Sequence, residues 1–115
     1  MLRLTTIGRR TARKRGVILG YIEDGPNLIT PATNGWFDPE PAWWLNLQAH
    51  PQATVHLPDG RTRAVTARAA DPDERQRLGR RLVDLGTAAY TDAYAAARAR
   101  ETAIVILQPT VANDR

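Results

Sequence analysis

The chain has 115 residues and a formal net charge of +4, from 16 Lys and Arg against 12 Asp and Glu, with 43% hydrophobic and 24% charged residues. That length fits one domain with its own core, and the composition is that of a folded globular protein, neither disordered nor collagen-like. Cysteine is missing, which excludes disulfides, thiolate metal sites and a cysteine nucleophile; no apolar run approaches bilayer length, so a cytoplasmic protein without stable membrane insertion is expected.

In chain order, Leu2 to Ile7 alternates as a strand does, and Val17 to Ile22 is a β-branched run predicted as a second strand. Between them Gly8 to Arg15 carries five cations in eight residues: Arg9, Arg10, Arg13, Lys14 and Arg15. Glu23-Asp24-Gly25-Pro26 marks a hairpin into a strand over 27–32, and Pro31 places that strand at an edge or at its finish. A loop dense in turn formers, Thr33 to Pro41, leads into a short helix over 42–50 that Pro51 stops. Strands over 52–57 and 61–69 are joined by Pro58-Asp59-Gly60, where Asp-Gly is a strong hairpin signal.

Asp71-Pro72-Asp73-Glu74 reads as a helix start, with Asp71 as N-cap, Pro72 at the first position and Glu74 placed for a capping box. Leu78, Leu82, Val83 and Leu85 supply its apolar face, and Gly86-Thr87 breaks it. A further short helix is predicted from Tyr90 to Arg100, with Tyr90 and Tyr94 one turn apart, then a buried strand over 102–108 closed by Pro109. The expected fold is mainly β (α+β): one domain over 1–110 forming a small antiparallel barrel of about six strands with two or three helices, and a tail at 111–115. Closure removes exposed strand edges, and the connections are too short for parallel crossovers.

No nucleophile elbow, phosphate loop, dinucleotide fingerprint or zinc-protease motif is present, so the site is argued as a binding site. His50 and His56 stand alone, and no metal site is expected. Three features are candidates. The basic turn is an anion clamp, because guanidinium groups held at strand ends bind phosphate or carboxylate bidentately; a solvated charge run is the equal alternative. Thr33-Asn34-Gly35 could bring backbone close to a planar ligand, or be an ordinary connection. Trp43 and Trp44 point about 100° apart on a helix, so one can lie in the core while the other faces a groove or partner, although large aromatics are more often core than cofactor wall.

Taken together, Leu4-Thr5-Thr6-Ile7-Gly8-Arg9-Arg10-Thr11, Thr33-Asn34-Gly35 and the run Pro41-Ala42-Trp43-Trp44-Leu45-Asn46-Leu47-Gln48-Ala49-His50-Pro51 resemble the deazaflavin-dependent nitroreductase family, split-barrel oxidoreductases that use coenzyme F420. The resemblance implies that Arg9, Arg10, Thr11, Arg15, Thr33, Asn34 and Gly35 bind the cofactor, with Trp44 and Asn46 shaping the pocket. It also implies Tyr90 and Tyr94 as catalytic groups beside the substrate. The implied reaction is hydride transfer from reduced F420 to an electron-poor small molecule such as a quinone, nitro compound or activated alkene, in a homodimer. The alternative is a non-catalytic protein that binds F420, FMN or a lipid; FMN is the alternative cofactor, and no nucleic acid partner is expected. Two positions depart from the family pattern: Trp36 stands in place of a second loop glycine, and Ala12 stands where many relatives have glycine.

Overall fold

A computed structural model describes residues 1–32, 40–84 and 103–110, apart from the side chains of residues 83 and 84. In it the chain forms β1 (Leu2–Ile7), β2 (Lys14–Leu19), β3 (Ile22–Asp24), β4 (Asn27–Pro31), α1 (Ala42–Ala49), β5 (Gln52–His56), β6 (Thr62–Ala69), α2 (Pro72–Asp84) and β7 (Ile104–Pro109). One sheet runs β2-β1-β5-β6-β7-β4-β3, with every neighbouring pair antiparallel. The antiparallel, mainly β architecture expected from the sequence is what forms, with seven strands rather than six.

The seventh strand comes from a division that side-chain pattern does not reveal. The apolar run expected as one strand over 17–22 is cut at Gly20 and Tyr21, and its two parts lie at opposite ends of the sheet. β2 pairs with β1, with Leu4 opposite Val17, while β3 pairs with β4, with Ile22 opposite Ile29. Two residues span at most about 10 Å from Leu19 to Ile22. The sheet therefore has to curl until its two ends nearly meet, leaving a seam between them. Gly20 sits at the bend, where the nearest atom an added Cβ would meet is the Met1 sulfur at 3.7 Å.

The two halves of the sheet differ in what covers them. In β1, Leu2, Leu4 and Thr6 point inward and are buried, while Arg3 is exposed, as a strand with one wet face requires. In β7, Ile104, Val105, Ile106 and Leu107 are all buried. Val105 and Leu107 join the inner core with Leu4, Leu28, Val55 and Leu47. Ile104 and Ile106 face outward against Leu78 and Leu82 of α2, with Ile29 beside them. Each such leucine, removed from water, contributes roughly 1.5–3 kcal/mol. Pro31 ends β4 opposite Ile104, past the last residue that β3 reaches, so it terminates an interior strand and costs no ladder bond there. Both short hairpins place a glycine at positive φ, Gly25 at +60° and Gly60 at +91°, where a side chain would be strained.

α2 begins as the sequence predicts. The Glu74 N–H donates to Asp71 Oδ1 at 2.9 Å and the Asp71 N–H donates to Glu74 Oε1 at 3.0 Å, closing the capping box. Glu74 also accepts both Nη atoms of Arg68 at 2.6 and 2.7 Å, which ties the helix to β6. The Arg68 fork, followed by the Asp71 N–H, lowers the Glu74 carboxyl from an ordinary 4.5 to about 2. Because the folded value lies below the unfolded one, this stabilisation is fully present above the unfolded value and is lost as pH falls toward 2. Urea unfolding of Glu74→Gln should show a lower stability at neutral pH and a flatter loss of stability between pH 4.5 and 2 than the parent chain.

Candidate functional site

The basic turn is built by backbone bonds. The Gly8 N–H donates to Arg13 O at 2.7 Å and the Ala12 N–H to Gly8 O at 2.9 Å, so the chain reverses in a closed loop at the head of the β1–β2 hairpin. A Cβ at Gly8 would sit 3.1 Å from Thr11 Oγ1 and 3.2 Å from the Arg13 carbonyl oxygen, and the second of these is backbone that cannot yield easily. Thr11 Oγ1 accepts the Arg13 N–H at 3.3 Å. Ala12 has φ +58°, the left-handed region that costs an L side chain about 1–2 kcal/mol. β2 begins at Lys14, so Lys14 and Arg15 lie on the strand and the turn itself is shorter than the basic run.

One side chain from α1 fixes this turn in space. Asn46 is 5% exposed, and its Oδ1 accepts both the Arg9 backbone N–H at 3.2 Å and Arg9 Nη1 at 2.9 Å. Its Nδ2 donates to Thr6 Oγ1 at 3.4 Å, and Thr6 Oγ1 lies 3.5 Å from Arg15 O, at the limit of a hydrogen bond. Leaving such a buried acceptor and its donors unpaired costs about 1–3 kcal/mol. One amide thus aims Arg9 while leaving most of its guanidinium donors available. Among the described residues no carboxylate pairs with Arg9, Arg10, Arg13, Lys14 or Arg15; the described ion pairs lie at Asp59, Glu74 and Asp24.

Beside the turn is a cavity of about 940 Å³, and the described residues that line it include Arg9, Arg10, Thr11, Arg15 and Asn46. Every residue from Arg15 through Ile22 borders it. Alternate residues of a strand point to opposite faces, so an unbroken run means that the cavity follows the open edge of β2 and occupies the seam of the sheet. Its character changes along its length: cationic at the turn, then apolar at Val17, Leu19, Tyr21, Ile22, Trp43 and Leu82.

The tryptophans are both core residues, the more frequent role of large aromatics, and they differ only in which one reaches the cavity. Both are 7% exposed and both belong to the inner core. Trp43 borders the cavity, whereas Trp44 is not among the lining residues. Asn46 meets it while its amide is spent on Thr6 and Arg9. Thr33, Asn34, Gly35 and Trp36, with Tyr90 and Tyr94, lie outside the described residues. Tyr21, Ile22 and Leu82 carry no motif and were not singled out from sequence. The signal that could have found the first two was Gly20, read as a bend. Among the described residues no group of three His, Cys, Asp or Glu could hold a metal ion.

A curled antiparallel sheet with a cation-headed cavity in its seam defines a split-barrel ligand-binding protein. Residues 1–109 match the family model of the F420H2-dependent quinone reductases, and the chain belongs to that family. It is similar to a solved F420-H2 dependent reductase with a TM-score of 0.80 and 25% identity over 93% of this chain and 92% of that one. A structure described as a domain-swapped dimer superposes equally well, with a TM-score of 0.80 and 25% identity over 93% of this chain and 78% of that one. A putative pyridoxamine 5'-phosphate oxidase from Listeria innocua shares the fold at 13% identity, with a TM-score of 0.64 over 96% of this chain and 83% of that one. The chain is an F420-dependent oxidoreductase, and its cofactor is coenzyme F420.

The residues fit that cofactor. F420 joins a flat deazaflavin ring to an acidic tail of one phosphodiester and several glutamates, and the cavity joins an apolar stretch to cations that have no carboxylate partner among the described residues. The turn also shows a cost that binding does not need. Ala12→Gly should raise the unfolding free energy by about 0.5–1 kcal/mol in denaturant titration by relieving the left-handed alanine.

Proposed function

We propose that the basic turn holds the acidic tail of F420 and that the apolar stretch of the cavity holds its ring beside a quinone acceptor. The observation that carries this reading is the fixed Arg9. A guanidinium set by a buried amide, with no carboxylate to answer it among the described residues, suits a phosphodiester or carboxylate from a ligand. Arg10, Thr11 and Arg15 add donors around the same opening. Bound F420 supplies the hydride chemistry. The chain's own part is to bind the tail, orient the ring along the β2 edge and keep water from the apolar stretch. Thr33, Asn34 and Gly35 are assigned to the ring by the resemblance of their loop, and Tyr90 and Tyr94 to the acceptor, where a phenol can donate a proton to the reduced product.

Quinone as acceptor is supported by the family to which the chain belongs and by the apolar lining. A homodimer is supported by the similar structure described as a domain-swapped dimer. Among the described residues no helix is long and apolar enough to cross a membrane, and a cytoplasmic setting is proposed with the soluble-cofactor chemistry.

Fluorescence titration with oxidised F420, and separately with FMN, tests the cofactor assignment. F420 emission should change on binding, and a response to FMN alone would overturn it. Arg9→Ala and Arg15→Ala should each weaken F420 binding about tenfold, raising the KM for F420 more than they lower kcat, since tail contacts are the same in ground and transition states. Asn46→Asp keeps the shape of the anchor but sets a carboxylate against Arg9; it should weaken F420 binding by a similar factor while leaving the fold intact by circular dichroism. An unchanged dissociation constant in all three variants would remove the turn from the cofactor site.

A further inference from the structure

The apolar end of the cavity is bounded by Ile22 on β3 and Leu82 on α2. These elements lie far apart in sequence, and an ionic clip joins them immediately next to both lining residues. Asp24, two residues past Ile22, accepts Arg77 Nη1 on Oδ1 at 3.0 Å and Arg77 Nη2 on Oδ2 at 3.1 Å, a two-point fork. Arg81, the residue before Leu82, donates to the same Oδ1 at 3.3 Å and through Nη2 to the Glu23 carbonyl at 3.0 Å. Arg77 and Arg81 stand one helical turn apart on α2, so the helix grips the strand at two points. Below the clip, Ile22 packs on the cluster that contains Leu78 and Leu82. β3 is three residues long and is the last strand of the sheet, with a neighbour on one side only, so its ladder alone holds it weakly.

We propose that the clip of Asp24 with Arg77 and Arg81 fixes the wall that Ile22 and Leu82 form at the apolar end of the cavity and thereby selects acceptors by size, favouring compact rings over bulky ones. The inference rests on the reading of this cavity as the F420 and quinone site. A lone exposed pair is worth little, but here a bidentate fork and a second arginine hold a strand that carries cavity wall two residues away. Releasing β3 lets the apolar end widen without disturbing Arg9 or Asn46, which sit at the other end. Asp24, Arg77 and Arg81 are positioning residues: among the described residues none of the three lines the cavity.

The test compares kcat/KM for 1,4-benzoquinone with that for 2-methyl-1,4-naphthoquinone, using reduced F420 and full-length Asp24→Asn, Arg77→Gln and the double variant. The ratio of bulky to compact acceptor should rise about tenfold in either single variant, the size of effect that one carbon group has in an apolar pocket. The double variant should show no further rise over Asp24→Asn, which already removes the carboxylate that Arg77 grips. Asp59→Asn, which breaks the exposed pair with Arg61 on the β5–β6 hairpin, should leave the ratio unchanged. Leu82→Ala opens the same wall directly and should move the ratio in the same direction, although removing a buried leucine from a core also lowers stability. F420 binding is titrated in every sample. Intact F420 binding with an unchanged ratio in the clip variants overturns the proposal and leaves the cofactor reading standing; an equal rise in Asp59→Asn overturns it too. Failure of the parent chain to bind F420 overturns both.

Discussion

Two residues, Gly20 and Tyr21, join the opposite ends of the sheet, and most of the remaining architecture follows from that short span. A flat seven-stranded ribbon would hold its end strands more than 25 Å apart at about 4.8 Å per step, which two residues cannot bridge. The sheet must curl, and the curl leaves a seam where β2 has no strand on its outer side among the described residues. The cavity is that seam. It is not carved out of the core; it is what remains when a chain has to pass from one end of the sheet to the other in two steps.

Onto this geometry the chain places charge at one end and apolar wall at the other. The charged end is ordered by a polar contact of long sequence separation, from Asn46 on α1 to Arg9 in the turn. The apolar end is ordered by helix-to-strand contacts, from Leu78 and Leu82 to Ile22. The two anchors use different elements and share no residue, so the grip on an anionic tail and the shape of the apolar end are separable properties of one cavity.

Much of this is legible in the sequence because local chemistry dictates it. The Asp-Gly hairpin, the Asp71–Glu74 capping box, the helix between Pro41 and Pro51 and the run of arginines in a turn each depend on residues a few positions apart. What was not legible depends on residues far apart. The apolar pattern from Val17 to Ile22 is interrupted by Gly20 alone, and the pairing of Ile22 with Ile29 and of Val17 with Leu4 shows that it is two strands. The tryptophans illustrate the same limit. Their angular separation on α1 is fixed by helix geometry, but the curled sheet covers both directions, so both are buried. Asn46 could be placed in the site from its motif, yet its work of aiming Arg9 needs the turn and helix brought together in space.

The unequal covering of the two half-sheets has one more outcome. β3, β4 and β7 are backed by α2, whereas β1 and β2 meet the core on one face only, and among the described residues β2 has a free edge. A molecule lying along that edge does the work of a missing strand, fastening the loosely held end of the ribbon to the firmly held one. Occupancy and cohesion then draw on a single free energy. On the proposed placement, bound F420 is a keystone as well as a reagent, and its binding free energy adds to that of the fold.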